Sequence, residues 1–288
     1  MTAVKPSAMV YYDTARIRKT DSHYHLIFGE RSNGKTTAVL CDIVRNHVNG
    51  KGNGQYVRQM DIDIRGARGE NIFRSLEYGG PNKDRNLIEE CTDGQWTTTK
   101  YRSRAWYLGR QEEDKDGNVQ TVYASRPFCF ASALNQVAHD KSATPADVTT
   151  IVFDEFLPIN GSYLVDETAL FRNMVSTTVR DAERTKIFLV ANSLGWNSPY
   201  FKMFGITESI RGMNPGDMKL FELPQADSRR KPMRVAVEYC IDSASTTGGK
   251  ASDVYFAFPD QHSAMITGGK FAVPDYPKCP HHFSKANV

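Results

Sequence analysis

The stretch Gly29-Glu30-Arg31-Ser32-Asn33-Gly34-Lys35-Thr36 decides the fold, because it fits the pattern G-x-x-x-x-G-K-[ST] without a gap. A short apolar run, residues 25–28, precedes it, and apolar side chains then recur at three- and four-residue spacing over residues 36–47. A glycine-rich loop ends this predicted helix, and residues 55–58 have the composition of a second strand. Strand, glycine loop, helix and strand in this order predict a βαβ unit within a parallel sheet.

The glycine loop, residues 29–36, also predicts a site for the phosphates of ATP. Gly29 and Gly34 allow the backbone to wrap an anion with its N–H groups inward, and the following helix adds its positive end. Lys35 is expected to bridge the β- and γ-phosphates, and the Thr36 hydroxyl to bind Mg²⁺. A chance glycine turn is the alternative, which the flanking strand and helix disfavour. The residues predicted to bind the nucleotide are Gly29, Glu30, Arg31, Ser32, Asn33, Gly34, Lys35, Thr36 and Thr37.

A second motif is the apolar run Ile151-Val152-Phe153-Asp154-Glu155, which ends in two acidic residues. Asp154 is predicted to hold Mg²⁺ together with Thr36, as in a Walker B strand. Glu155 is predicted to be the general base that takes a proton from the attacking water, and this pairing favours an ATPase over a Ras-like GTPase. Carboxylates that merely cap or decorate a strand end are the alternative.

Asn192 follows another buried apolar run, residues 186–191. Polar residues at the carboxyl ends of parallel strands lie where open α/β sheets bind ligands. Asn192 is therefore predicted to contact the γ-phosphate or the attacking water, and the alternative is a turn-forming asparagine.

The rest of the chain predicts an α/β fold with a mostly parallel central sheet flanked by helices. Residues 149–153 and 186–191 are predicted strands, residues 167–179 a helix, and the turn at residues 114–118 a β-hairpin inserted between core strands. Pro, Gly, Ser and Thr become frequent after residue 215. We therefore predict an ATPase domain over residues 1–215 and a linker or small peripheral segment over residues 216–288.

Composition limits the classes of partner. The chain has 288 residues, of which 40% are hydrophobic and 24% charged, as in an ordinary globular protein. Its net charge of +3 is too small to indicate nucleic-acid binding, which would need local basic patches. The 5 cysteines form no C-x-x-C pair, so reduced thiols are expected. No apolar run is long enough to span a membrane, so no membrane partner is expected.

These motifs together resemble one family, the DNA-packaging ATPases (encapsidation proteins) of small protein-primed podophages, which are terminase-like relatives of the HerA and FtsK motors. The resemblance extends over residues 15–215, and its segments are residues 26–36, 56–58, 150–156, 179–184, 191–192 and 197–201, with Ser132. It implies a P-loop ATPase of the ASCE, RecA-like type. Such a protein forms a homo-oligomeric ring, expected to be a pentamer, and uses ATP and Mg²⁺ to move double-stranded DNA into a procapsid.

The resemblance also assigns roles to single residues. Arg31 matches an arginine within the family's glycine loop, Asn192 a sensor position, and Arg180 the arginine that each subunit supplies in trans to its neighbour's ATP. An ion pair with Asp181 or Glu183 is the alternative role for Arg180, and Arg184 is the competing candidate. Full-length relatives also carry a nuclease-like domain. This chain stops at residue 288, so a complete one is expected to be absent.

Partners follow from the same resemblance. Double-stranded DNA is expected at basic patches, although for each patch taken alone a solvated surface is the favoured alternative; the candidates are Lys100, Arg102, Arg104 and Arg110, then Arg65, Arg68 and Arg74, then Arg229, Arg230 and Lys231. The portal or connector of the procapsid, and a packaging RNA, are the expected docking partners in the host cytoplasm. A cellular-type translocase or helicase, or a nucleotide-binding switch without motor activity, are the rival functions. Glu155 beside Asp154 disfavours the switch.

Overall fold

The computed structural model describes residues 11–29, 33–78, 85–137, 145–158, 161–192, 195, 197–225, 229 and 231–240. Its strands, in chain order, are β1 (Tyr24–Gly29), β2 (Asn53–Arg58), β3 (Thr98–Arg102), β4 (Ala105–Glu113), β5 (Val119–Tyr123), β6 (Cys129–Ala133), β7 (Val148–Asp154), β8 (Lys186–Asn192), β9 (Met218–Leu223) and β10 (Met233–Tyr239). Its helices are α1 (Ala15–Arg18), α2 (Lys35–Val48), α3 (Gly66–Tyr78), α4 (Leu87–Cys91), α5 (Glu167–Thr178), α6 (Pro199–Met203) and α7 (Thr207–Arg211), with 3₁₀ turns at Asp61–Ile64 and Leu134–Gln136.

All the described strands belong to one ten-stranded sheet in the order β3-β4-β6-β2-β7-β8-β1-β10-β9, with β5 paired to β4. The six central strands of this order run parallel, because the crossovers between them return the chain to the same end of the sheet; they are β6, β2, β7, β8, β1 and β10. The antiparallel strands β3, β4 and β5 extend one side of the sheet, and β9 closes the other. The fold is therefore mixed α/β, as predicted.

Alternating side chains of the parallel strands build a core on each face of the sheet. On β1, Ile27 packs with α2, α3 and α4, whereas Leu26 and Phe28 pack with α5 and α6. The first core contains the fully buried Trp106, whose Nε1 donates to the Gly69 carbonyl at 2.9 Å. A Cβ at Gly69 would lie 2.4 Å from the Ile64 carbonyl oxygen, so only glycine permits this close packing of α3.

The two ends of the parallel strands define two edges. The carboxyl-end edge is where β1, β7 and β8 end, and there Gly29 pairs with Asn192 and Asp154 with Val190. The amino-end edge is where the same strands begin, at Tyr24, Val148 and Lys186. Six steps along a strand separate the two edges by about 20 Å.

The predicted helices over residues 36–47 and 167–179 are confirmed as α2 and α5, and the hairpin around residues 114–118 as β4–β5. The division predicted at residue 215 does not coincide with the end of the sheet. Strand β10 pairs in parallel with β1, the strand that leads into the glycine loop, and β9 pairs with β10. Residues 235–241 have the composition of a strand, but the Pro, Gly and Ser around them favoured a peripheral segment over a strand of the central sheet. Residues 241–288 lie outside the described part.

Candidate nucleotide-binding site

The glycine loop connects β1 to α2 at the carboxyl-end edge. Gly34, the N-cap of α2, has a left-handed backbone with φ of 86°, which glycine adopts without strain. Tyr12 N–H donates to the Asn33 carbonyl at 2.9 Å, so the segment before α1 is attached to the loop. Lys35 is buried, and its Nζ donates to Asn33 Oδ1 at 2.9 Å and to the Gly29 carbonyl at 3.2 Å. These bonds hold the ammonium group over the loop.

The remaining predicted loop residues, Glu30, Arg31 and Ser32, lie outside the described residues.

Thr36 and Asp154 meet across the site. The Thr36 hydroxyl donates to Asp154 Oδ1 at 2.9 Å, and the Tyr56 hydroxyl donates to the other carboxylate oxygen at 2.7 Å. Burial, and then the Asp154 charge, raise the pKa of Tyr56 well above its ordinary value, so Tyr56 remains a donor. Two hard oxygen ligands on facing elements suit Mg²⁺, which keeps several waters and takes its other ligands from phosphates. The residue pair predicted to hold the metal therefore fits it.

Glu155 follows β7 directly and adopts a left-handed backbone, with φ of 58°. Such a conformation is strained for a residue other than glycine and persists only where neighbours hold it. The neighbour here is Arg58, which lies at the end of β2. Its Nη2 contacts Glu155 Oε2 at 2.6 Å, and its Nη1 contacts Asp154 Oδ2 at 3.4 Å. A single guanidinium thus links both acidic residues.

The guanidinium group of Arg58 belongs to a largely buried side chain, of which only 17% is exposed. Burial acts against its charge, but Tyr56, Asp154 and Glu155 outweigh burial and raise its pKa above the ordinary value. The charge on Arg58 is therefore constant in the physiological pH range, and its fork geometry suits two carboxylates.

Asn192 completes the outline of the site. It ends β8 directly beside Gly29, and it lines a cleft of about 180 Å³ with Lys35, Thr36, Asp154 and Glu155. The predicted residues Asn33, Gly34 and Thr37 line the same cleft. The structure therefore brings together every predicted nucleotide-site residue that it describes, apart from Arg180.

Arg180 lies in the connection from α5 to β8, at the amino-end edge. This places it about 20 Å from the glycine loop of its own chain. It is exposed, and no ion pair with Asp181 or Glu183 forms within the described structure. Arg184, the competing candidate, is held by its own chain: Nη2 donates to the Lys51 carbonyl at 2.9 Å, and Nη1 lies 3.8 Å from Asp147.

The candidate DNA-binding residues do not form one surface. Lys100 and Arg102 are exposed on one face of β3, where they lie over the rings of Tyr123 and Tyr107, at 4.8 Å and 5.4 Å from the ring centroids. Arg104 occupies the β3–β4 turn and pairs with the buried Asp61 at 3.0 Å. Arg229 lies in the β9–β10 connection, on the opposite side of the sheet, and Arg230 lies outside the described residues.

Sequence reasoning missed Tyr56 and Arg58 as site residues. Residues 55–58 were predicted as a strand, and residues 56–58 carried part of the family resemblance, but no role in the site was assigned to Arg58, which ends this strand. A polar residue at the carboxyl end of a strand neighbouring β7 is the signal that would have found it. The partners Asp154 and Glu155 are about a hundred residues away in sequence, so no local pattern joins them.

Fold and site together define a mixed α/β protein with a glycine-loop site at the carboxyl-end edge of its sheet. The family model described as Podovirus DNA encapsidation protein (Gp16) matches residues 120–243. The DNA packaging protein of Bacillus phage phi29 is 23% identical over 220 residues, which are 75% of this chain and 57% of that protein. The chain thus spans little more than half the length of this curated relative. The resemblance recognised in the sequence is confirmed.

Solved structures show the same fold. The N-terminal domain of the DNA packaging ATPase from bacteriophage phi29 has a TM-score of 0.55 at 19% identity, covering 80% of this chain and 95% of that chain. The Phi-28 gp11 DNA packaging motor has a TM-score of 0.58 at 17% identity, covering 96% of this chain and 72% of that chain. None of the helices described here is both long enough and apolar enough to cross a bilayer.

Proposed function

We propose that the chain is the ATP-hydrolysing subunit of a viral DNA-packaging motor, with a P-loop fold of the ASCE type. The motor moves double-stranded DNA into a procapsid as a homo-oligomeric ring, a pentamer on the family resemblance. It acts in the host cytoplasm, docked on the portal and on a packaging RNA where one is present. The observation that carries the proposal is the Thr36–Asp154 hydrogen bond, with Lys35 and Glu155 in the same cleft.

Binding of ATP is assigned to the glycine loop. The backbone N–H groups at the start of α2 and the buried Lys35 would face the phosphates of bound ATP, and Thr36 with Asp154 would hold Mg²⁺. Mg²⁺ neutralises negative charge on the phosphate oxygens when it is bound. Lys35 then exchanges its bonds to Asn33 and Gly29 for bonds to phosphate, which keeps the buried ammonium paired throughout.

Hydrolysis is assigned to Glu155 as the general base. With Oε2 bound to Arg58 at 2.6 Å, this carboxylate is a poorer proton acceptor, so it must turn away from Arg58 before it takes a proton from water. Arg58 retains Asp154 when Glu155 leaves. Asn192, across the cleft, is placed to orient the water or the γ-phosphate.

The site lacks a guanidinium for the γ-phosphate among the described residues, because Arg58 is committed to two carboxylates. Arg180 is exposed at the opposite edge and is too far to reach its own site. A neighbouring copy in the ring is therefore proposed to supply it in trans, which makes hydrolysis depend on assembly.

DNA contact is assigned to the basic side chains on the surface, of which Lys100 and Arg102 share a face with two tyrosines. A packaging motor must grip any sequence, so contacts should go to phosphates and weaken with salt.

The test is ATPase activity of the assembled protein with duplex DNA, single-stranded DNA or no DNA. Duplex DNA of any sequence should stimulate turnover most. Stimulation by single strands with strand separation would support the helicase alternative, and nucleotide binding without turnover would support the switch. The variant that tests the DNA contact is Lys100→Ala with Arg102→Ala. It should lower the stimulation by duplex DNA without lowering basal turnover.

A further inference from the structure

A second pocket lies at the amino-end edge, on the opposite side of the sheet from the glycine loop. Its volume is about 470 Å³, and basic side chains from three separate parts of the chain line it: Arg18, Lys51, and Arg184 with Lys186. Asp42 is the acidic residue in its lining. We call it the amino-end pocket. It shares no lining residue with the nucleotide cleft.

The charges in this pocket are only partly compensated. Arg18 contacts Asp42 at 3.1 Å, and Lys186 contacts Asp21 at 2.7 Å, but Asp21 is 79% exposed. Arg184 has Asp147 at 3.8 Å, which is 59% exposed. Exposed carboxylates compete weakly with a ligand for a cation, because solvent screens such pairs. Lys51 forms no ion pair with any described residue.

The carbonyl end of α2 borders the pocket and would by itself disfavour an anion. Its last carbonyl groups are occupied, however. Asn49 N–H donates to Arg45, Gly50 N–H to His47 and Lys51 N–H to Asn46, at 2.8 to 3.1 Å. Neutral donors therefore cap the helix, and the basic side chains beyond it are not needed for that purpose.

We propose that the amino-end pocket is a second anion site, which binds a phosphate group. Two guanidinium and two ammonium groups line it, and both kinds of group bind phosphate oxygens. The volume exceeds that of one phosphate, so the site has room for the rest of a phosphate ester. This inference does not rest on the proposed motor function, since it concerns a pocket that is separate from the nucleotide cleft.

The phosphate has two possible sources, the DNA backbone and the nucleotide of a neighbouring copy. Arg184 lines the pocket and Arg180, the proposed trans-acting arginine, precedes it by one short turn, so a neighbour's nucleotide would approach the same edge. Both sources present the same oxygen atoms to the same cations, and separate probes distinguish them.

The test is a titration of the full chain with inorganic phosphate, followed by NMR through backbone amides. The amides of Lys51 and Thr149 should shift on binding, in addition to those of Thr36 and Thr37, which detect the glycine loop. Lys51→Ala should weaken phosphate binding at the amino-end pocket about tenfold. This change avoids the nucleotide cleft, and Lys51 is exposed, so the variant should fold normally.

The matched control is Lys19→Ala, which removes an exposed ammonium near the same edge without touching the pocket. If Lys19→Ala weakens phosphate binding as much as Lys51→Ala, general charge attraction explains the binding and the proposal fails. Absence of any shift at Thr149 also overturns it. Tripolyphosphate and a short DNA duplex then serve as the two further probes, and the one that binds more tightly at Thr149 identifies the source.

Discussion

The two edges of the sheet hold their charged groups in opposite ways. At the carboxyl-end edge, Thr36, Asp154, Arg58 and Glu155 form one connected network within hydrogen-bond distance. At the amino-end edge, Arg180 is exposed, and carboxylates compensate the basic side chains of the amino-end pocket only in part. The first edge holds the proposed phosphate site, where Arg58 is committed to two carboxylates and no other guanidinium lies among the described residues. The second edge holds the guanidinium group of Arg180, which forms no ion pair within the described structure.

This difference supports the proposal that the chain works beside copies of itself. A cation placed at the carboxyl-end edge would bind the site's own carboxylates before ATP arrived, as Arg58 does. A cation on the other edge reaches phosphate only when a neighbour presents it, so turnover can depend on the ring.

The largest effect should come from Lys35→Ala at the carboxyl-end edge. It removes the buried ammonium that faces the phosphates, so ATPase activity should fall at least about a thousandfold. Lys19→Ala at the amino-end edge is the control and should retain activity. Steady-state turnover with circular dichroism as a check on folding measures both. Full activity in Lys35→Ala would show that the glycine loop is not the site that binds the phosphates of ATP.

Glu155→Gln separates binding from hydrolysis at the same edge. An amide cannot accept the proton of water, so turnover should fall about a hundredfold or more while ATP still binds. The measurement pairs single-turnover hydrolysis with fluorescent-nucleotide binding. Weak binding instead of slow hydrolysis would make Glu155 a structural residue.

Arg58→Ala should affect stability as well as turnover. It leaves the carboxylates of Asp154 and Glu155 without their cation, and Asp154 is buried, so the free energy of unfolding should fall by roughly 3 kcal/mol. Arg74→Ala, which breaks an exposed pair with Glu70, is the matched control and should cost less than about 1 kcal/mol. Urea denaturation compares the two. Equal losses would show that the Arg58 network is not a special feature of this edge.

The smallest effect concerns pH at the amino-end edge. His25 is buried against Phe188, and burial lowers its pKa from 6.5 to about 3. Below pH 6.5 the unfolded chain therefore binds a proton at His25 that the folded chain does not bind. The contribution of His25 to the free energy of unfolding is complete above pH 6.5 and is lost as the pH falls toward 3. Between pH 7 and 5 the loss should be roughly 2 kcal/mol.

The charged groups of Lys186, Arg18 and Asp21 act on the same ring, and all three remain in the variant. His25→Phe should therefore flatten the pH dependence relative to the unmodified chain, as measured by urea unfolding at several pH values. An unchanged slope would show that His25 is not the group responsible.

The sequence predicted the carboxyl-end edge much better than the amino-end edge. The glycine loop, Asp154, Glu155 and Asn192 could be placed together, because each ends or follows a strand and parallel strands end at one edge. Arg58 was missed, since its role depends on β2 lying beside β7. The amino-end pocket was missed as well, because Arg18, Lys51, Thr149 and Lys186 converge only through the strand order. The apolar run of β10 could be identified as a possible strand, but its pairing with β1 could not, because the turn residues around it favoured a peripheral segment.

The most direct measurement is ATPase activity in rings mixed from Arg180→Ala and Glu155→Gln subunits. If Arg180 acts in trans, some interfaces join an intact Glu155 to a neighbour's intact Arg180, so activity per ring should exceed that of either variant alone. Because Arg184 is held by its own chain, rings mixed from Arg184→Ala and Glu155→Gln subunits should show no comparable gain in ATPase activity. Mixed rings of Arg180→Ala and Glu155→Gln that are no more active than the single variants would contradict the account.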